Sequence, residues 1–273
     1  NQTDASPPTP SCTIKVHTEL AVFGRDRDHA IHVAARQNAT AAVLSLLQHG
    51  VFVDDTNSRM ATPLLIASQK GNIPLVKALL QCGADPAATT NSGVTPLLQA
   101  AHFGRTAVVQ ILLNCRCTPS LIEMSTSSST TPLMRAAQEG HVEMIRLLLR
   151  AGAQLNRRNR NHMTALMLAS QRGHAQVCQS LIDYGAMMEA ETLQKSTALL
   201  LACKRDHLEA VRVLVTAGCE LSSKDSRGNN VRLISSVRKN YELARLLDPV
   251  IQVHLMLRAG WSARTITLVR CWM

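Results

Sequence analysis

The sequence is poor in aromatic residues: three Phe, two Tyr and two Trp make up 3% of its 273 positions. Its core must be built from Leu, Ala, Val, Ile and Met, and this disfavours proteins that stack bases on aromatic platforms. Long apolar runs are missing as well. No stretch of about 18 apolar residues occurs, so hydropathy gives no transmembrane helix. No charged start leads into an apolar segment, so no signal peptide is visible. The chain opens on Asn1 rather than Met, as expected of a fragment or a processed form. Paired cysteine spacings are also absent. Eight Cys are scattered, with Cys115 and Cys117 as a lone C-x-C, and the expectation is reduced thiols in the cytoplasm or nucleus. Phosphate loops, the G-x-S-x-G nucleophile turn and H-E-x-x-H are missing, so nothing points to an enzyme or a cofactor.

What is present is apolar enough to fold. Apolar residues make up 46% and charged residues 18%, which disfavours wholesale disorder. The net charge is +10, and it is unevenly spread. Residues 1–125 hold 9 Lys/Arg and 8 Asp/Glu, whereas residues 126–273 hold 20 and 11. A basic half suits an acidic or phosphorylated partner, nucleic acid or a membrane surface. Arg outnumbers Lys by 22 to 7, which favours bidentate contacts to carboxylate or phosphate.

The decisive feature is self-similarity. Thr62-Pro63-Leu64 opens a segment running through Ala67, Gly71, Val76, Leu79-Leu80 and Gly83-Ala84. The pattern returns at Thr95-Pro96-Leu97, Thr131-Pro132-Leu133, Thr164-Ala165-Leu166 and Thr197-Ala198-Leu199, with weaker copies near His29 and Asn230. Every step is 33 residues except that from 95 to 131, which is 36. This unit resembles the ankyrin repeat, with its T-P-L-H-x-A signature and Gly-His turn. Here the His after T-P-L survives only as His32; Leu65, Leu98, Met134, Met167 and Leu200 replace it elsewhere.

The unit can be read physically. Thr accepts a first-turn N–H, and Pro at the first helical position loses no bond. Small Ala side chains let neighbouring helices approach. Gly71, Gly104, Gly140 and Gly173 end the first helix in a left-handed residue, and a second helix follows with Val76, Leu79 and Leu80 on one face. One unit cannot bury its own apolar face, so units stack. The expected fold class is an all-α repeat solenoid of helix-turn-helix units with β-turn fingers.

The expected organisation is a disordered lead and N-terminal cap at 1–28, repeats over 29–248, and a C-terminal tail at 249–273 with a potential capping helix. The seven units fall at about 29–54, 55–87, 88–122, 123–156, 157–189, 190–222 and 223–248. The first and last are degenerate, the last having Arg232 and Ser235-Ser236 where Leu and Ala are expected. The three extra residues of the long step are placed in the polar run Ser125–Thr131, read either as a phosphorylation target or as a tolerated surface insertion.

The resemblance implies protein binding through the finger tips and the exposed side of the first helices. The residues to inspect are Gln69, Lys70, His102, Phe103, Gln138, Glu139, Gln171, Arg172, Lys204 and Arg205. Phe103 is either an exposed anchor or a side chain packed on Leu97 and the next repeat. Arg157, Arg158 and Arg160 lie in the fifth finger with no acid near in sequence. They either offer guanidinium forks to a partner or form a solvated loop. Glu189, Glu191, Lys224, Asp225 and Arg227 on the later fingers suggest a groove of mixed sign. His141, His174 and His207 recur at 33-residue spacing, on the order of 10 Å apart in a stack, too far to share an ion held at about 2 Å. They read as turn-backbone donors, and no metal site is assigned. The leading expectation is a monomeric, non-enzymatic module or scaffold for a protein partner. One alternative is polyanion or nucleic-acid binding through the basic half, which the scarcity of aromatics weighs against. Another is a ubiquitin-ligase substrate adaptor, for which Leu268-Val269-Arg270-Cys271 is a loose match.

Overall fold

A computed structural model describes residues 29–115, 121–237 and 240–248. The expected lead and tail lie outside the described residues. Seven helix pairs follow one another: α1 (Ala30–Arg36) with α2 (Thr40–Gln48), α3 (Pro63–Lys70) with α4 (Ile73–Gln81), α5 (Pro96–His102) with α6 (Thr106–Leu113), α7 (Pro132–Glu139) with α8 (Val142–Arg150), α9 (Ala165–Arg172) with α10 (Ala175–Asp183), α11 (Ala198–Lys204) with α12 (Leu208–Thr216), and α13 (Val231–Val237) with α14 (Tyr241–Leu246). Odd-numbered helices pack on odd-numbered neighbours and even on even, giving an inner and an outer layer. No strand occurs among the described residues.

The inner helices begin as their sequence dictates. Thr62, Thr95, Thr131, Thr164 and Thr197 each accept, through Oγ1, the N–H three residues on, at 3.1–3.4 Å. Asn230 does the same for Leu233 at 2.9 Å, so the last repeat keeps its cap with a different residue. In that repeat Ser235 and Ser236 donate their hydroxyls to the carbonyls of Arg232 and Leu233, which satisfies polar groups placed where Ala is expected. Behind the caps, Ala67, Ala100, Ala101, Ala136, Ala137, Ala169 and Ala202 are wholly buried, as are Leu75, Leu79, Ile145 and Leu148 of the outer layer. Each such Leu contributes about 1.5–3 kcal/mol through burial.

Three sets of hydrogen bonds tie each repeat to the one before it. At the helix–helix turns, Nε2–H of His141, His174 and His207 donates to the carbonyls of His102, Gln138 and Gln171 at 2.9, 3.0 and 3.0 Å. The expectation of turn-backbone donors holds. Arg105 occupies the same station one repeat earlier and donates Nε–H to the Gln69 carbonyl at 3.1 Å. The rings press so closely that a Cβ on Gly140 or Gly173 would stand 2.7 Å from His174 or 2.6 Å from His207. Both glycines also have positive φ, at 84° and 79°, so two independent constraints demand them.

At the base of the fingers, carboxylates or amides of Asp54, Glu123, Asn156 and Glu189 accept the backbone N–H of Asp85, Gln154, Met187 and Glu220 in the next repeat. At the tips, the N–H groups of Asn91, Ser127, Arg160, Leu193 and Ser226 donate to the carbonyls of Arg59, Ser92, Ser128, Asn161 and Gln194, again one repeat back. Each finger closes on one residue of Asn, Thr or Asp type. Asn57, Thr90, Thr126, Asn159, Thr192 and Asp225 accept, through the side chain, the N–H four residues on.

That last series relocates the long step. The turn Thr126–Thr130 has the same bonds as its neighbours, so the three extra residues do not lie in it. Cys82 and Cys115 are one period apart, as are Leu79 and Leu112. The insertion therefore falls between Cys115 and Thr126, partly outside the described residues, and not in the run Ser125–Thr131. The polar tip fits the regular register because Ser129 takes the left-handed position, at φ 60°, that Gly93 and Gly228 hold in other fingers.

Candidate functional site

The fingers and the inner helices form one continuous face. Between the second and third fingers it opens into a notch of about 380 Å³, lined by Arg36, Arg59, Gln69 and Asn91 together with the apolar Leu65, Ile66 and Val94. Between the sixth and seventh fingers it opens into a second notch of about 570 Å³, against α13. Both exist because the turns stand clear of the helices behind them while their tips stay linked.

The residues singled out from the sequence fall into three groups. Gln69, His102, Gln138 and Gln171 are half-buried, and their carbonyls are the acceptors of the turn ladder. Phe103 is 38% exposed and stands edge-on to His102, with centroids 4.6 Å apart. It is therefore not a core residue. His102 Nδ1 also lies 3.3 Å from a carboxylate oxygen of Glu139. Burial lowers the His102 pKa, helped by Arg135 and His141 and opposed by Glu139. Lys70, Arg158, Arg160, Arg172 and Arg205 are exposed and make no ion pair among the described residues.

Arg157 and Lys204 are held within the protein. Arg157 donates to the Glu123 carboxylate at 2.7 Å and to the Glu123 carbonyl at 3.3 Å. The absence of an acid near it in sequence is thus no guide: Glu123 lies one repeat earlier. Lys204 Nζ is 2.9 Å from Asp225 Oδ2 and 2.9 Å from Ser196 Oγ. Burial alone would raise the Asp225 pKa. Lys204, the Asn229 amide and the N–H groups of Asn229 and Arg227 overcome that and hold it well below the usual carboxylate range.

These pairings shift the balance of the mixed-sign groove toward positive charge without removing its acids. Asp225 is neutralised by Lys204, and Glu189 is engaged with the Glu220 N–H. Along the fingers and inner helices of the last three repeats, Arg158, Arg160, Arg172, Lys195, Arg205, Lys224, Arg227 and Arg232 are exposed, and so are Glu189, Glu191 and Glu220.

A family model of ankyrin repeats in three-copy blocks matches residues 14–90, 31–123, 64–159, 97–192 and 151–225. The chain is an ankyrin repeat protein. Among solved structures it is similar to the human ASB11 ankyrin repeat domain, at 24% identity and a TM-score of 0.71, over 81% of this chain and 97% of that one. That likeness is one of fold. No curated protein matches the sequence.

Within the ankyrin stack one side-chain group escaped sequence reasoning. His29, His32 and Asp55 bring ligand-type atoms within 4.8 Å of one another. His29 Nδ1 is bonded to Asp55 Oδ2, and the buried His32 donates Nε2–H to the Asp55 carbonyl at 2.9 Å. These bonds pin the first inner helix to the base of the second finger. Repeat periodicity gives a signal for one such contact between repeats: subtracting one period from Arg157 lands beside Glu123. Among the described residues, no helix is long and apolar enough to cross a membrane.

Proposed function

We propose that this ankyrin repeat protein is a non-enzymatic, monomeric binding module that holds a protein partner across the tips and inner helices of repeats two to six. Ankyrin repeats are interaction modules in general, and that coarse role belongs to the family. The observation that carries the finer reading is the row of exposed arginines, Arg158, Arg160, Arg172 and Arg205, which make no ion pair among the described residues. Guanidinium groups in fixed register present forks for carboxylates. Phe103, Gln69, Lys70, Gln138, Glu139 and Gln171 complete the surface. Five cysteines of the described residues are free, which fits a reducing compartment, cytoplasm or nucleus.

The test is affinity capture with the intact chain and with an Arg158→Glu/Arg160→Glu/Arg172→Glu variant, at two salt concentrations, with and without nuclease. Arg157 stays unchanged because it carries a structural bond. The expected result is a small set of proteins that survives nuclease and higher salt and is lost in the variant at unchanged Tm. Capture that disappears with nuclease would overturn the reading in favour of polyanion binding.

A further inference from the structure

The notch between the last two fingers joins an aliphatic side to polar and charged edges. Its wall is apolar: Leu233 is 45% and Val237 74% exposed, one helical turn apart on α13. Gln194 on the sixth finger and Arg227 on the seventh flank it. Its floor is the Lys204–Asp225 pair, whose charges cancel at 2.9 Å. Leu193 on the sixth finger tip adds a further apolar side chain, 63% exposed.

We propose that this notch binds an acidic peptide segment of a partner, with a large apolar side chain seated against Leu233 and Val237. The proposal rests on the reading of this face as a protein-binding surface and adds the chemistry of its occupant. Charge complementarity selects the acid. From the notch back toward the fifth finger the exposed charges are Arg227, Lys224, Arg205, Lys195, Arg172, Arg160 and Arg158 against Glu191, Glu189 and Glu220, which leaves the face net positive. Inner helices pack about 8–10 Å apart, so Arg160 lies two repeats, roughly 20 Å, from the notch. About six extended residues span that distance. The fitting segment therefore has one large apolar residue and two or more Asp/Glu within about six positions on one side of it. Residues 249–273 carry three Arg and no acid, so by charge they match this face less well than an acidic partner does. A nucleic acid fits less well: the notch has an aliphatic wall and no aromatic platform, so phosphates would leave Leu233 and Val237 uncovered.

The experiment selects displayed random peptides of about twelve residues on the full chain at near-physiological salt. Enriched peptides are then labelled with fluorescein and titrated by anisotropy. The expected peptides have the stated pattern. Their affinity falls about tenfold or more in Leu233→Ser/Val237→Ser and in Arg160→Glu/Arg227→Glu; Lys70→Ala/Phe103→Ala probes the far end of the face, and the outer-layer control Lys77→Ala/Gln176→Ala changes little. All the altered side chains are solvent-facing, and thermal melts confirm folding in each variant. Peptides without acids, or peptides lost with Lys70 and Phe103 but not with the notch, overturn this proposal and leave the broader reading standing. No enrichment, or bound peptides indifferent to both sets and displaced by a twelve-nucleotide single strand, overturns both.

Discussion

Gly173→Ala tests how the repeats are joined. Two costs are expected. The left-handed backbone at φ 79° disfavours any Cβ by about 1–2 kcal/mol. The new Cβ would also stand 2.6 Å from the His207 ring, so the ring must move and its 3.0 Å bond to the Gln171 carbonyl is lost. That bond contributes about 0.5–1.5 kcal/mol. Ala also restricts the unfolded chain, which returns about 0.4–1 kcal/mol. The net loss is about 1–3 kcal/mol, or several degrees in Tm for a stack of this size. The molecule supplies its own control. Gly152 has φ 93° but nothing within 4 Å of its absent Cβ, so Gly152→Ala isolates the backbone cost. Urea denaturation of both variants, with His207→Ala and the Gly173→Ala/His207→Ala double variant, closes a cycle. Gly173→Ala should cost more than Gly152→Ala, and the excess should vanish when His207 is absent. Equal losses would refute the claim that ring contact fixes this glycine.

Two further outcomes follow from burial and charge. Burial pushes the Cys178 thiol up to about 11 and Cys203 up to about 12, and raises Cys219 well above its ordinary value, with Glu189 adding to that last shift. Ellman's reagent at pH 8 should label exposed Cys82 quickly and reach these three only after denaturant, and rapid labelling of all four would contradict the packing. Asp225 has a depressed pKa in the folded state, so its stabilisation is complete above the ordinary carboxylate value of about 4 and is lost as pH falls toward the folded value. Asp225→Asn should cost about 1.5–3 kcal/mol at pH 7, with the gap from the parent closing below about pH 4 in denaturant titrations. A gap independent of pH would mean that the Lys204 pairing contributes little.

Much of the fold was legible because its causes are local. Thr caps, Pro at the first helical position and turn glycines act within four residues, and the repeat multiplies each signal. The turn histidines were legible too, since equivalent stations in a stack cannot share an ion. What stayed hidden are contacts made at one period's remove. Arg157 finds Glu123 and Lys204 finds Asp225 only once the repeats are stacked, and both pairings changed the charge of the face. The long step was misplaced for a related reason. A run of Ser and Thr looks like an insertion, yet Thr126 makes the same turn as Asn57 or Asp225, and Ser129 accepts the left-handed station.

The bonds between repeats also give the stack a direction. In the turn ladder, at the finger bases and at the tips, the later repeat supplies the donor and the earlier one the acceptor. One end of the row is thus complementary to the other end and not to itself. Two copies meeting by a two-fold axis through like ends would set donors against donors or acceptors against acceptors. Only a head-to-tail meeting would extend the three sets, and such a heterologous contact does not close on itself.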